Sequence, residues 1–331
     1  MIKSIIVIFL AIFSISSSAQ KIHLRKVMRL PKMIHESSGL VCTDSGIIWT
    51  INDHGDNKLF AINPSAGFQS DDIRFIEVLN ITHHDWEDLA KGESENIYIG
   101  DFGNNLNRRQ DFAIYKINLT GYISCKTSDS LPAVTAELIS FHYPDQTQFP
   151  PEPANWNFDC EAFFHLGDSL YLFSKNVSNH NNGFTKIYRL SDQPGAYIAD
   201  LVDSFCLNEP VTGADVSADG KTVVLLTYFS LWFLKEFSGN DFFGGKILQL
   251  PLRGLTQKEA VCFSNDRELF ITDERHYGKG GKLYKVELAH LDLSQPAKKI
   301  RSCFSKRVVY NFFNNPRTAY KKLMRLNGHP D

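Results

Sequence analysis

Acidic residues recur in this chain inside a repeated phrase. Glu36-Ser37-Ser38-Gly39-Leu40, Asp85-Trp86-Glu87-Asp88-Leu89 and Asp159-Cys160-Glu161-Ala162-Phe163 each run from acidic or polar residues, through a small one, to an apolar one. Thr212-Gly213-Ala214-Asp215-Val216 and Lys258-Glu259-Ala260-Val261-Cys262 follow the same pattern. A second apolar run begins eight or nine residues after each apolar position, and three of these runs close on another acid: Asp53, Asp101 and Asp273. Ser174 and Thr227 close the other two. Carboxylates brought together repel, and their pKa values rise unless positive charge sits among them. A hard divalent cation answers that need. Ca2+ takes about six to eight oxygen ligands in a flexible geometry, which carboxylates supply. The expected metal ligands are therefore Glu36, Asp53, Glu87, Asp101, Glu161, Asp215, Glu259 and Asp273. Cys pairs at metal spacing are lacking and clustered His are scarce, which argues against zinc. His84, just before the second phrase, is the candidate general base. The plain alternative is structural: Asp53-His54-Gly55-Asp56-Asn57 and Asp101-Phe102-Gly103-Asn104-Asn105 also read as Asx turns.

The elements that must position these residues are strands. The second runs are Trp49-Thr50-Ile51, Tyr98-Ile99-Gly100, Tyr171-Leu172-Phe173, Val224-Leu225-Leu226 and Phe270-Ile271-Thr272. A third run follows in each copy, as in Ile114-Tyr115-Lys116-Ile117 and Leu283-Tyr284-Lys285-Val286. These runs are short, aromatic or β-branched, and separated by turn formers such as Asp44-Ser45-Gly46 and Asp219-Gly220. Outer runs at 73–79, 136–141, 198–205 and 246–250 complete four copies, and residues 22–30 supply the matching strand for the fifth. Four strands per repeat, arranged radially, predict an all-β fold: a β-propeller of four-stranded antiparallel blades with its ring closed by the N-terminal strand. In such a ring, residues opening the first run and closing the second meet at one mouth of the channel. The repeat anchors Leu40, Leu89, Phe163, Val216 and Val261 lie 49, 74, 53 and 45 residues apart. Five blades are expected. The 74-residue gap holds a Pro-rich insertion at 143–155, and a sixth blade there or in the tail stays open.

The chain has 331 residues, 43% hydrophobic and 22% charged, values that exclude long disorder and collagen-like repeats. Residues 1–19 combine Lys3, an apolar stretch too short to span a bilayer, and Ser-Ser-Ala before Gln20; they predict a signal peptide and a secreted or periplasmic protein. The propeller is expected over 20–292. Residues 293–331 form a basic tail, nine Lys and Arg against Asp331, with a short helix predicted after Asn315-Pro316. Residues 20–292 hold 25 basic and 36 acidic residues, which argues against nucleic acid as a partner.

The openers Glu36-x-Ser38-Gly39-Leu40, Asp85-Trp86-Glu87-Asp88-Leu89-Ala90 and Asp159-x-Glu161-Ala162 resemble those of exported bacterial propellers of the SdiA-regulated and phytase-like or esterase-like group. More distantly they resemble the gluconolactonase type. The resemblance covers residues 22–288 and implies Ca2+ at the channel acids and, for phytase-like members, phosphate-ester hydrolysis. Holding a phosphate would also use bases, and only Lys175, Arg108, Arg109, Arg275 and Lys258 fall near the expected mouth. The functional expectation is a monomeric, metal-assisted hydrolase of a small anionic ester or lactone. The competing one is a non-catalytic binding or scaffold propeller that recognises a protein or glycan.

Overall fold

In the computed structural model, the structure describes residues 22–65, 74–122, 133–175, 183–254, 256–275 and 279–293. The signal peptide and all of the basic tail beyond Leu293 lie outside the described residues.

The five phrases begin five inner strands. Blade 1 is Ser37–Cys42, Ile48–Asn52, Lys58–Ile62 and Arg74–Leu79; blade 2 is Trp86–Lys91, Asn96–Asp101, Phe112–Asn118 and Glu137–His142. Blade 3 is Cys160–Leu166, Ser169–Ser174, Phe184–Ser191 and Asp200–Cys206; blade 4 is Val211–Val216, Thr222–Thr227, Ser230–Lys235 and Lys246–Pro251. Blade 5 is Lys258–Asn265, Glu268–Asp273 and Lys282–Glu287, and its outer strand is Arg25–Arg29 from the other end of the chain. The protein is a five-bladed β-propeller, closed as the sequence predicts.

Burial explains the pattern of residues along each blade. Ser37–Cys42 is buried throughout because blades 5 and 2 wall it on both sides. The outer strand Arg74–Leu79 alternates towards its end, as a half-buried strand must. Five apolar clusters lie one between each pair of neighbouring blades, around Trp49 and Trp86, Phe163 and Tyr188, Phe164 and Trp232, Phe233 and Val261, and Phe60 and Leu283. The inner strands converge on the axis, so small residues recur there. Gly39 (φ +68°) is the tightest case: a Cβ at that position would sit 2.5 Å from the Leu89 amide nitrogen on blade 2.

No sixth blade appears among the described residues. The long gap instead holds Val134–Thr135, which adds in parallel to the outer edge of blade 1, and a 3-10 turn at Pro153–Asn155. Gly195–Ile198 adds in the same way to blade 2. These two strands stitch blades 1 and 2 to the chain of the blade that follows. Among the described residues no helix is long and apolar enough to cross a membrane.

One irregularity repeats in all five blades. The ladder between the first and second strands slips between Ser38/Leu40, Trp86/Asp88, Cys160/Ala162, Val211/Gly213 and Lys258/Ala260. A bulge inserts an extra residue and re-aims its side chain. Counted from the pair that closes each ladder, the second inner-strand position reads Ser38, Glu87, Glu161, Thr212 and Glu259; it is the extra residue in blades 2 to 5, whereas in blade 1 Ser38 pairs with Ile51 and Gly39 is the extra residue. This register corrects two expected equivalences. The blade 4 counterpart of Glu87 is Thr212, with Asp215 three residues deeper, and the closer of blade 1 is Asn52, with Asp53 one residue beyond.

Candidate metal centre at the channel mouth

The bulged glutamates point into a cavity of about 220 Å3 at the mouth. Five expected ligands line it: Glu36, Asp53, Glu87, Glu161 and Glu259. So do four residues absent from the expected set, Asp85, His54, Lys175 and Glu274. Position after the closer is what unites Asp53, Lys175, Tyr228 and Glu274, the residue at which each second strand leaves the blade and faces the axis. Phe102 holds that place in blade 2 and turns inward to pack edge-on against Phe163.

Two clusters stand out. Glu87, Asp159 and Glu161 are all buried, and each offers a carboxylate oxygen within 4.8 Å of the others. Asp159 Oδ1 accepts the Asn104 amide at 2.7 Å, while its Oδ2 is buried with no hydrogen-bond partner. Gly103 makes room for the neighbouring acids, because a Cβ there would collide with the carboxylates of Glu87 and Asp85. Lys175 Nζ stands 2.6 Å from Glu161 Oε2. Of the five bases expected near the mouth it alone lines the cavity; Arg109 is bound to Asp101 at 2.9 Å and Lys258 is buried near Asp273. The second cluster, at the rim, is Glu36, Asp53 and His54. His54 Nδ1 lies 3.1 Å from Asp53 Oδ1 and its Nε2 3.4 Å from Asp85 Oδ1.

Three expected ligands are placed elsewhere. Asp101 accepts the amides of His84 (2.9 Å) and Asp85 (3.1 Å) as well as the Arg109 guanidinium, so it pins the turn that presents Asp85. Asp273 accepts the Lys282 amide, the Thr256 hydroxyl and the Tyr284 hydroxyl. Asp215 accepts the amides of Val216 and, on blade 5, Phe263. Each carboxylate is occupied by backbone or side-chain donors, in keeping with the Asx-turn reading for Asp101. His84 is also outside the cavity: it is exposed, and its Nε2 lies 3.4 Å from Asp111. His54 has the position that the sequence reading gave to His84.

Electrostatics follow from one ammonium among many acids. Burial, then Glu161 and Asp85, push the Glu87 carboxyl well above the usual range. Burial also raises Glu161 strongly, against the pull of Lys175. Asp53 is pushed up to about 7 by burial and by Glu36, and Glu259 to about 7 by burial that Lys175 only partly offsets. Burial lowers the Lys175 pKa, but Glu161, Tyr228 and Glu259 outweigh it and hold the ammonium charged. The site therefore holds more carboxyl groups than its own cation can keep ionised.

That imbalance has a pH signature. An acid whose pKa is higher folded than unfolded binds more protons in the folded state, so stability falls as pH rises between the two values. For Asp53 and Glu259 the window runs from about 4 to about 7. The metal-free protein is expected to melt several degrees lower at about pH 7.5 than at about pH 5. A midpoint that is flat or rising over that interval would contradict the charge account.

No protein-family model and no curated protein matches the chain. Solved structures similar to it are distant ones. The PQQ-bound aldose sugar dehydrogenase of Streptomyces coelicolor aligns at 10% identity over 81% of this chain and 98% of its own, with a TM-score of 0.49. The calcium-binding protein regucalcin of Agrobacterium tumefaciens gives 10% identity over 80% and 94%, with a TM-score of 0.43. A gluconolactonase of Xanthomonas campestris gives 14% identity over 76% and 71%, with a TM-score of 0.38. At such distances the likeness is one of fold, and chemistry must come from the residues of this chain.

Proposed function

We propose that the mouth binds a hard divalent cation, Ca2+, through Glu87, Asp159 and Glu161, and that the protein uses it to hydrolyse a small ester or lactone. The observation that carries this reading is the buried carboxylate trio: Glu87 and Glu161 line the cavity, and Asp159, within reach of both, holds an unpartnered oxygen, Oδ2. An all-oxygen, carboxylate-rich donor set suits Ca2+. Glu259 and the rim acids Glu36 and Asp53 would complete or orient the site. When bound, the cation supplies Lewis acidity towards the scissile carbonyl or phosphoryl oxygen.

The chain's own residues supply the rest. His54, held between Asp53 and Asp85, stands where it can accept a proton from an attacking water. The water oxygen bonds to the carbonyl carbon, the ring or ester C–O bond breaks, and the proton held on His54 passes to the departing alkoxide. The acidic wall repels anions, so an uncharged lactone enters more readily than a phosphate ester. Export fits the disulfide at Cys206, since such bonds persist in oxidising compartments.

The test is hydrolysis of neutral lactones and phosphate esters by Ca2+-loaded protein. His54→Gln is expected to lower kcat by about 100-fold or more, and His84→Gln to leave it within about twofold. The reverse ranking would overturn the base. Absence of hydrolysis in protein shown to hold Ca2+ would favour the binding or scaffold reading.

A further inference from the structure

We propose that the Pro-rich insertion forms a second binding site, for a neutral saccharide, on the same face as the mouth. The outer strand of blade 2 ends at His142 and the inner strand of blade 3 begins at Cys160, so the segment between them crosses the mouth face. It encloses a cavity of about 390 Å3 with the third strand of blade 3. That volume lies in the usual range for small-molecule pockets, about 300–1,000 Å3.

The cavity is built, not incidental. Asn107 and Asn104 of blade 2 hold its floor: Asn107 Oδ1 accepts the Phe158 amide at 2.9 Å, and Asn104 Nδ2 donates to the Phe158 carbonyl at 3.0 Å. Asn157 Oδ1 accepts the Ser174 hydroxyl, one residue from Lys175, which ties the floor to the metal centre. Trp156 is half-buried, and its indole N–H donates to the Pro151 carbonyl at 2.9 Å, which fixes the ring. On the opposite side Lys186 Nζ lies 4.0 Å from the Phe158 ring centroid and 2.6 Å from Asp145 Oδ2, while Asp145 Oδ1 accepts the Tyr188 hydroxyl.

Charge and donor chemistry choose the ligand. Among the described residues Asp145 and Lys186 are the only charged ones in the lining, and they neutralise each other. The cavity is thus electrically balanced, beside a mouth lined by an excess of acids. Among the described residues an anion such as a nucleotide phosphate finds no uncommitted cation in it. Thr147, Gln148 and Asn155 line it too, and among the described residues their side chains bond to no protein group. A fixed aromatic ring offers an apolar face, and the surrounding amides and hydroxyl offer donors and acceptors. A pyranose presents both, with C–H groups on its faces and hydroxyls around its edge.

This inference does not depend on the metal site, and the chain has its own reporter. Trp49, Trp86 and Trp232 are at most 2% exposed, so of the four tryptophans Trp156 alone reaches solvent. The probe is a panel of neutral gluco-, galacto-, manno-, xylo- and N-acetylhexosamine oligosaccharides, read by tryptophan emission, acrylamide quenching and calorimetry. At least one member is expected to shift the emission and shield Trp156 from acrylamide. Trp156→Ala should weaken its calorimetric binding at least about tenfold, and replacing Ca2+ by EDTA should leave it unchanged. The double variant Gln148→Ala/Asn155→Ala, which removes no bond within the described protein, should also weaken it while melting like wild type. The proposal is overturned if no member binds at about 10 mM, or if both sets of variants bind as wild type does.

Discussion

Asp88→Ala is expected to destabilise the protein by about 3 kcal/mol or more, lowering the melting midpoint by roughly 6 °C or more. Inner strands of neighbouring blades splay around the axis and do not pair, so their edge amides need other acceptors. Asp88 is fully buried and serves three blades: its Oδ1 accepts the Leu89 amide at 2.8 Å, and its Oδ2 the amides of Phe163 (3.0 Å) and Ala214 (3.4 Å). Alanine would leave three buried donors without that carboxylate, at about 1–3 kcal/mol for each that finds no substitute. Asp88→Asn keeps one acceptor oxygen and should cost less. Urea unfolding of both variants checks this. An alanine variant as stable as wild type would show that the inner ring is held by packing alone.

Lys175→Met should have an effect of similar size, but one that depends on calcium. Removing one partner of a buried ion pair leaves the other charge uncompensated, a loss of about 3–5 kcal/mol. Here Glu161 would lose its ammonium partner, and Glu87, Asp159 and Glu259 would lose a shared counter-charge. In EDTA the variant is expected to melt roughly 6–15 °C below wild type. Added Ca2+ should recover a larger share of stability than it gives wild type, because the ion then neutralises the trio unaided. Equal calcium increments in the two proteins would mean that Lys175 and the cation do not share a site.

Much of this architecture was legible in the sequence because propeller strands are local. Each acid–small–apolar phrase announces an inner strand, the turn formers set its partner, and residues 22–30 announce the closure found at Arg25–Arg29. The phase of the bulge was harder to read. In Thr212-Gly213-Ala214-Asp215-Val216 both Thr212 and Asp215 precede an apolar residue at plausible spacing, and only the pairing of Val211 with Thr227 selects Thr212. The same one-residue ambiguity hides Asn52 behind Asp53. Lys175 and His54 carried no recurring signal, since the position after each closer reads Asp53, Phe102, Lys175, Tyr228 and Glu274. What those residues share is a direction towards the axis, which is a property of the backbone.

A thermal melt in EDTA and then in millimolar Ca2+, for wild type, Glu87→Gln and Glu161→Gln, puts the cation site at risk. A bound ion at about 100 times its dissociation constant adds about 2.7 kcal/mol. Wild type should therefore rise by roughly 5 °C or more, and both variants should lose most of that increment. A wild-type midpoint indifferent to calcium, or an increment that survives in both variants, would contradict a metal held by the buried trio.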